Sequence, residues 1–250
     1  MLMSDASAAN ATTPPGPAEQ AAREVVSGRP QRTARWWLGW VSLVAFIAFC
    51  VDAFLVINGT VFQSFDVPIA YWVQSVQWGP LATVMKLTNA SGGLGQVLLG
   101  VIAVVGLFIW DRRAGLLMAL GCIGSVIDYF LKISVARHRP TADLVHILAP
   151  STGYSFPSGH AVFFTWFAFI LAVAVSPHVR PSRRILVWVG AGALILVACL
   201  GRVWAGAHWP SDVIGGFLLG LSWSAFVLWL PERLLPAPSW SWLRGRFGRK

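Results

Sequence analysis

Six apolar runs recur along the chain, each close to membrane length and separated from the next by a polar segment. They fall near Trp36 to Ile57, Leu94 to Trp110, Ala114 to Leu131, His160 to Ser176, Ile185 to Trp204 and Val213 to Leu230. A helix crossing the roughly 30 Å hydrocarbon core takes about 20 mostly apolar residues. The pattern therefore predicts an all-α integral membrane protein with six transmembrane helices. Between the first two runs, the stretch FDVPIAYWVQSVQWGPLATVMKL mixes polar and apolar positions and predicts a helix lying at the interface. Residues 1–34 carry no apolar periodicity and read as a disordered tail. The membrane domain then covers residues 35–231, and a basic tail covers residues 232–250. The first run is long and follows the tail, which favours a spanning helix over a cleaved signal peptide.

Composition sharpens this picture. With 56% hydrophobic and 12% charged residues, the chain is too apolar for an ordinary soluble domain. The formal charge of +9 does not mark a nucleic-acid binder, because the arginines scatter between apolar runs and form no continuous basic face. Basic residues accumulate in cytoplasmic segments, so they report topology instead. With both termini placed in the cytoplasm, all 19 basic residues fall inside except Lys86, Lys132, Arg137, Arg139 and Arg202. Tryptophans at both edges of the runs fit interfacial belts. Cys50, Cys122 and Cys199 lie inside apolar runs and indicate neither a disulfide nor a metal site.

Basic residues on the disfavoured outer side call for a cause, and most of them adjoin unusual polar stretches. KISVARHRP, from Lys132 to Pro140, follows the third run. PSGH, from Pro157 to His160, opens the fourth, and GRVWAGAHWPSD, from Gly201 to Asp212, links the fifth to the sixth. In the six-span topology all three meet at one membrane face. Lys132 supplies a compact cation, while Arg139 and Arg202 supply planar forks that match phosphate oxygens. PSGH adds backbone amides at a helix start, with Ser158 as cap and donor, and Gly159 lets the backbone approach an anion. His208 and Asp212 stand four apart. A carboxylate bonded to one imidazole nitrogen leaves the other free to attack phosphorus. His160 can then protonate the leaving oxygen. No metal signature competes, so neither a metal nor another cofactor is expected.

These stretches resemble the signature of the type 2 phosphatidic acid phosphatase superfamily, membrane lipid phosphatases that share an active site with vanadium haloperoxidases. Lys132, Arg139 and Pro140 match its first motif, Pro157 through His160 its second, and Arg202, His208 and Asp212 its third. Gly201 departs from the pattern, standing where the family usually has serine. The resemblance implies a six-helix core, a phosphohistidine on His208 and His160 as acid. It also implies phosphate binding by Lys132, Arg139, Arg202, Ser158 and Gly159.

Taken singly, these residues have plainer readings. A Ser-Gly before a helix is a cap, lysine and arginine at a span end snorkel to headgroups, and His208 beside Trp209 is an interfacial anchor. One phosphate site accounts for all of them together. Asp128 lies four residues before Lys132 within a span, and an intrahelical pair explains it. The expected function is metal-independent hydrolysis of a lipid phosphate or diphosphate at the outer leaflet of a bacterial cytoplasmic membrane. By analogy the substrate is undecaprenyl diphosphate, with phosphatidic acid and phosphatidylglycerol phosphate as further possibilities. The partners expected are the bilayer and its lipid substrate, and no nucleic acid. Competing readings are phosphoryl transfer to another lipid or sugar, and a non-catalytic protein that binds or transports lipid phosphate.

Overall fold

The computed structural model describes residues 36–230, so the tails expected at 1–34 and 232–250 lie outside the described residues. Eight α-helices follow in order: α1 Trp36–Ile57, α2 Val67–Ser75, α3 Pro80–Ala90, α4 Leu94–Trp110, α5 Arg112–Val135, α6 Gly159–Val175, α7 Arg184–Trp204 and α8 Pro210–Trp229. A π-helical turn, Phe62–Asp66, leads into α2. Among the described residues there is no strand. Five helices are long and apolar enough to cross a bilayer, and a sixth span results if α3 and α4 count as one bent element.

The region between the first two runs departs from the single interfacial helix expected. It forms α2 and α3: α2 ends at Ser75, where Val76 turns to extended backbone, and Gly79, at φ +50°, precedes Pro80 at the start of α3. Glycines again interrupt the chain at Gly92 and Gly93, and α3 meets α4 at 83°. Elsewhere hydropathy locates the helices within a few residues. The third span starts earlier than its apolar run because Asp111 caps it, accepting the Arg113 amide at 2.8 Å. This cap leaves one residue between α4 and α5, so the two run as a hairpin.

α6 and α8 form the centre, with 61% and 67% of their apolar stretches buried, against 17% and 11% for the outer α1 and α7. α8 packs along α1 and α6, α5 lies between α4 and α6, and α7 lies against α6 and α3. The outer helices turn Phe54, Ile102, Ile109 and Leu186 outward, as an acyl-chain solvent allows. α6 and α8 approach closely at Gly216, where a Cβ would lie 2.5 Å from the Ser158 carbonyl oxygen. That contact brings the two later motifs together at one end of the helices. α5 spans about 36 Å at 1.5 Å per residue, so Arg112 and Lys132 sit at opposite ends of it.

Candidate active site

The last two turns of α5 carry Asp128 and Lys132. Lys132 Nζ donates to Asp128 Oδ1 at 3.0 Å and also to the Pro157 carbonyl, which ties α5 to the start of α6. Gly159 leaves room for this pair, since a Cβ there would lie 2.8 Å from Asp128 Oδ2. Ser158 occupies the N-cap position of α6, but its hydroxyl makes no cap bond and is buried without a partner. Its backbone amide instead donates to the Asp212 carbonyl at 2.8 Å. One residue on, His160 Nε2 is likewise buried and unpaired, with the ring packed against Gly92.

The last turn of α7 carries Arg202, which is 5% exposed. Nη1 donates to Asn89 Oδ1 at 2.6 Å and Nη2 to Ser151 Oγ at 3.0 Å, while Nε is buried with no partner. A buried donor left unpaired costs about 1 to 3 kcal/mol. Arg202 Nε and the Ser158 hydroxyl share this condition, and the buried, unpaired His160 Nε2 joins them as a donor when the ring carries a proton there; all three belong to sequence motifs that meet at this end of the helices.

The turn between α7 and α8 presents His208. Gly206 holds the turn at φ +65°, and its α-hydrogen faces the His146 carbonyl oxygen, with which a Cβ would clash. Gly206→Ala is therefore expected to lower stability by about 1 to 3 kcal/mol through backbone strain and to reduce turnover by shifting His208. Thermal unfolding in detergent, read beside phosphate release, checks both effects.

His208 is 2% exposed. Arg139 Nη1 donates to its Nε2 at 3.1 Å. A guanidinium only donates, so Nε2 carries the lone pair and the ring proton sits on Nδ1. Nδ1 faces Asp212 Oδ2 at 3.5 Å, longer than a hydrogen bond, because the carboxylate is held by other donors. The Trp209 amide donates to Oδ2 at 2.8 Å and Arg137 Nη1 to Oδ1 at 2.5 Å. Burial, and then the charges of Arg202, Arg139, Lys132 and His160, push the His208 pKa well below the ordinary 6.5. Its imidazole is thus neutral at pH 7.

Arg139, a phosphate ligand by the sequence motif, also clamps loops. It donates to the carbonyls of Gly153 at 3.0 Å, Tyr154 at 3.0 Å and Ala207 at 2.7 Å. Burial lowers its pKa from the usual arginine value.

Three further residues shape the site without having been assigned a part from the sequence. Arg137 bridges two buried carboxylates, Asp212 and Asp66, each at 2.5 Å. Burial disfavours its cation, but Asp212 and then Asp66 outweigh that and raise its pKa. Asp66 also accepts from the Ser211 amide at 2.9 Å. Asn89, at the end of α3, holds Arg202. The one available signal was the outer-face charge of Arg137; Asp66 and Asn89 lie in a stretch whose mixed polarity carries no motif.

Residues 112–235 match the model of the PAP2 superfamily. An undecaprenyl-diphosphatase of Sulfolobus acidocaldarius is 28% identical over 194 residues, covering 75% of this chain and 88% of the relative. Phosphatidylglycerophosphatase B of Bacillus subtilis is 33% identical over 137 residues, covering 52% of this chain and 65% of the relative. The fold is similar to the crystal structure of a transmembrane PAP2-type phosphatidylglycerolphosphate phosphatase from Bacillus subtilis. That match has a TM-score of 0.68 and 26% identity, and it covers 78% of this chain and 98% of the other.

Proposed function

The chain belongs to the PAP2 superfamily and is a lipid phosphatase, and we propose that it cleaves the terminal phosphate from an isoprenoid diphosphate through a phosphohistidine on His208. The observation that carries this reading is the set of unpaired buried polar atoms, Ser158 Oγ, His160 Nε2 and Arg202 Nε, beside a neutral His208. A tetrahedral anion satisfies them together. Nε2 of His208 attacks the terminal phosphorus as the bond to the bridging oxygen breaks. His160 gives that oxygen a proton, and the lipid monophosphate leaves. Water then attacks the phosphohistidine, His160 takes its proton, and inorganic phosphate departs with the His208 lone pair restored. Lys132, Arg202 and the amides at the start of α6 offset the charge that develops on the equatorial oxygens. On binding, Arg139 exchanges its contact with Nε2 for one with phosphate. Asp212 favours the Nδ1–H tautomer from 3.5 Å.

The placement of the site supports a lipid substrate. An apolar cleft of about 670 Å³ runs between α4, α5 and α6, lined among others by Gly93, Gln96, Tyr129, Phe130 and Phe163. It begins beside Gly92, the neighbour of His160, so a tail lying in it carries its phosphate to the histidines. The diphosphate reading follows the printed activity of the Sulfolobus relative. The charge bias of the loops supports a phosphate lying at the outer leaflet.

Phosphate release by purified protein from undecaprenyl diphosphate, phosphatidylglycerol phosphate and phosphatidic acid tests the assignment. The diphosphate is expected to turn over fastest, and release from none of the three overturns the reading. Turnover is expected to survive EDTA, because cationic side chains face the phosphate, and to be inhibited by vanadate, which mimics the five-coordinate transition state. A strict requirement for added magnesium defeats the metal-independent mechanism.

A further inference from the structure

Gly201 breaks the third motif, and the space it leaves is filled from another helix. Asn89, at the end of α3, donates from Nδ2 to the Gly201 carbonyl at 3.0 Å and to the Met85 carbonyl at 2.8 Å. Its Oδ1 accepts from Arg202 Nη1 at 2.6 Å. Both amide protons and the oxygen are thereby used, so the side chain is fixed between α3 and α7. A Cβ at position 201 would lie 3.2 Å from Asn89 Nδ2 and 3.3 Å from Met85 Cβ, so a side chain there and the Asn89 amide compete for one place. Arg202 is held on its other side by Ser151, at 3.0 Å. With these two contacts made, Nε remains buried and unpaired.

We propose that Asn89 is the positioning residue that aims the Arg202 guanidinium at the substrate phosphate, and that glycine at position 201 is what admits it. The proposal rests on Arg202 gripping phosphate, as in the function proposed above. It adds that the α3–α4 bend has a part in phosphate recognition, because α3 delivers Asn89 to Arg202 while Gly92, just beyond its end, packs on His160. Asn89 acts through Arg202 and takes no part in bond making.

The two positions should behave as one unit. In wild-type background, Gly201→Ser crowds the Asn89 amide and turns it away from Arg202. Asn89→Ala removes the acceptor and leaves Nη1 without a partner. Each is expected to raise KM for the lipid phosphate, and the inhibition constants of inorganic phosphate and vanadate, by about tenfold, the size of one charge-assisted hydrogen bond. The fall in kcat should be smaller. In Asn89→Ala/Gly201→Ser the serine gains the vacated space and its hydroxyl reaches the region of Nη1. That double variant is expected to bind phosphate better than either single variant, a sign of coupling that general loss of packing does not produce.

Melting temperatures in detergent identify folded variants. If Asn89→Ala does not fold, Gly201→Ala against Gly201→Ser carries the test, both being expected to weaken vanadate binding in the presence of Asn89. Losses that simply add in the double variant, or unchanged inhibition constants in the single variants, overturn the proposal. Arg202→Ala is the control that separates the two readings. If it leaves vanadate binding intact, the phosphate site itself is misassigned; if it abolishes binding while the Asn89 and Gly201 variants bind normally, only the positioning role fails.

Discussion

Replacing His208 with alanine is expected to lower turnover by about a thousandfold or more, with the loss in kcat and little change in KM. The imidazole is buried and neutral, and Nε2 bears the lone pair that attacks phosphorus in the proposed mechanism. Lys132, Arg202 and the start of α6 remain to hold the substrate, so binding should persist. Acid-quenched labelling distinguishes this from a loss of fold. Wild-type protein incubated with substrate labelled in the terminal phosphate should retain label on the chain, and the alanine variant should retain none. His160→Ala should lose about a hundredfold or more, since only proton transfer to the leaving oxygen is removed. Substantial turnover by the His208 variant would falsify the phosphohistidine step.

How much of this could be read from the sequence depended on whether a residue acts through its own segment or through a distant one. α1 and α4 end where their apolar runs end, because a lipid-facing helix needs only length and hydropathy. α5 begins earlier because Asp111, a polar residue outside the apolar run, caps it. The bend at α3 and α4 was not legible: short helices of mixed polarity carry no span-length signal, and glycine pairs permit many geometries. Lys132, His160, Arg202 and His208 stood out as polar groups at span ends. Their company did not. Asp66 and Arg137 are 71 positions apart, and Asn89 and Arg202 are 113 apart, so each pairing exists only once the helices have packed. Ser158 shows the converse. Its position at a helix start was legible, yet its hydroxyl is free because the Asp212 carbonyl takes the backbone amide and no amide of α6 is capped by the side chain.

Arg137→Met is expected to destabilise the folded protein by about 3 to 5 kcal/mol, the usual consequence of leaving a buried charge without its partner. Asp66 and Asp212 are both fully buried, and the guanidinium lies between them. It also donates to Ser211 Oγ at 2.8 Å, and Asp66 in turn accepts from that hydroxyl at 2.8 Å. Methionine fills a similar volume, so lost packing contributes little and the effect reports the charge. Arg137→Lys should recover only part of the loss, because one ammonium cannot reach both carboxylates from two separate nitrogens as Nη1 and Nη2 do. Asp66→Asn in the Arg137→Met background should then restore stability, since it removes one of the two uncompensated charges. Unfolding midpoints in detergent measure the series. A second readout separates scaffold from chemistry. The guanidinium orients the Asp212 carboxylate that faces His208 Nδ1, so the methionine variant, assayed below its melting point, should also lose kcat while its KM holds. A variant as stable and as active as wild type would mean that the two carboxylates do not depend on Arg137, and that the turn at Phe62–Asp66 is held to α8 by backbone and apolar contacts instead.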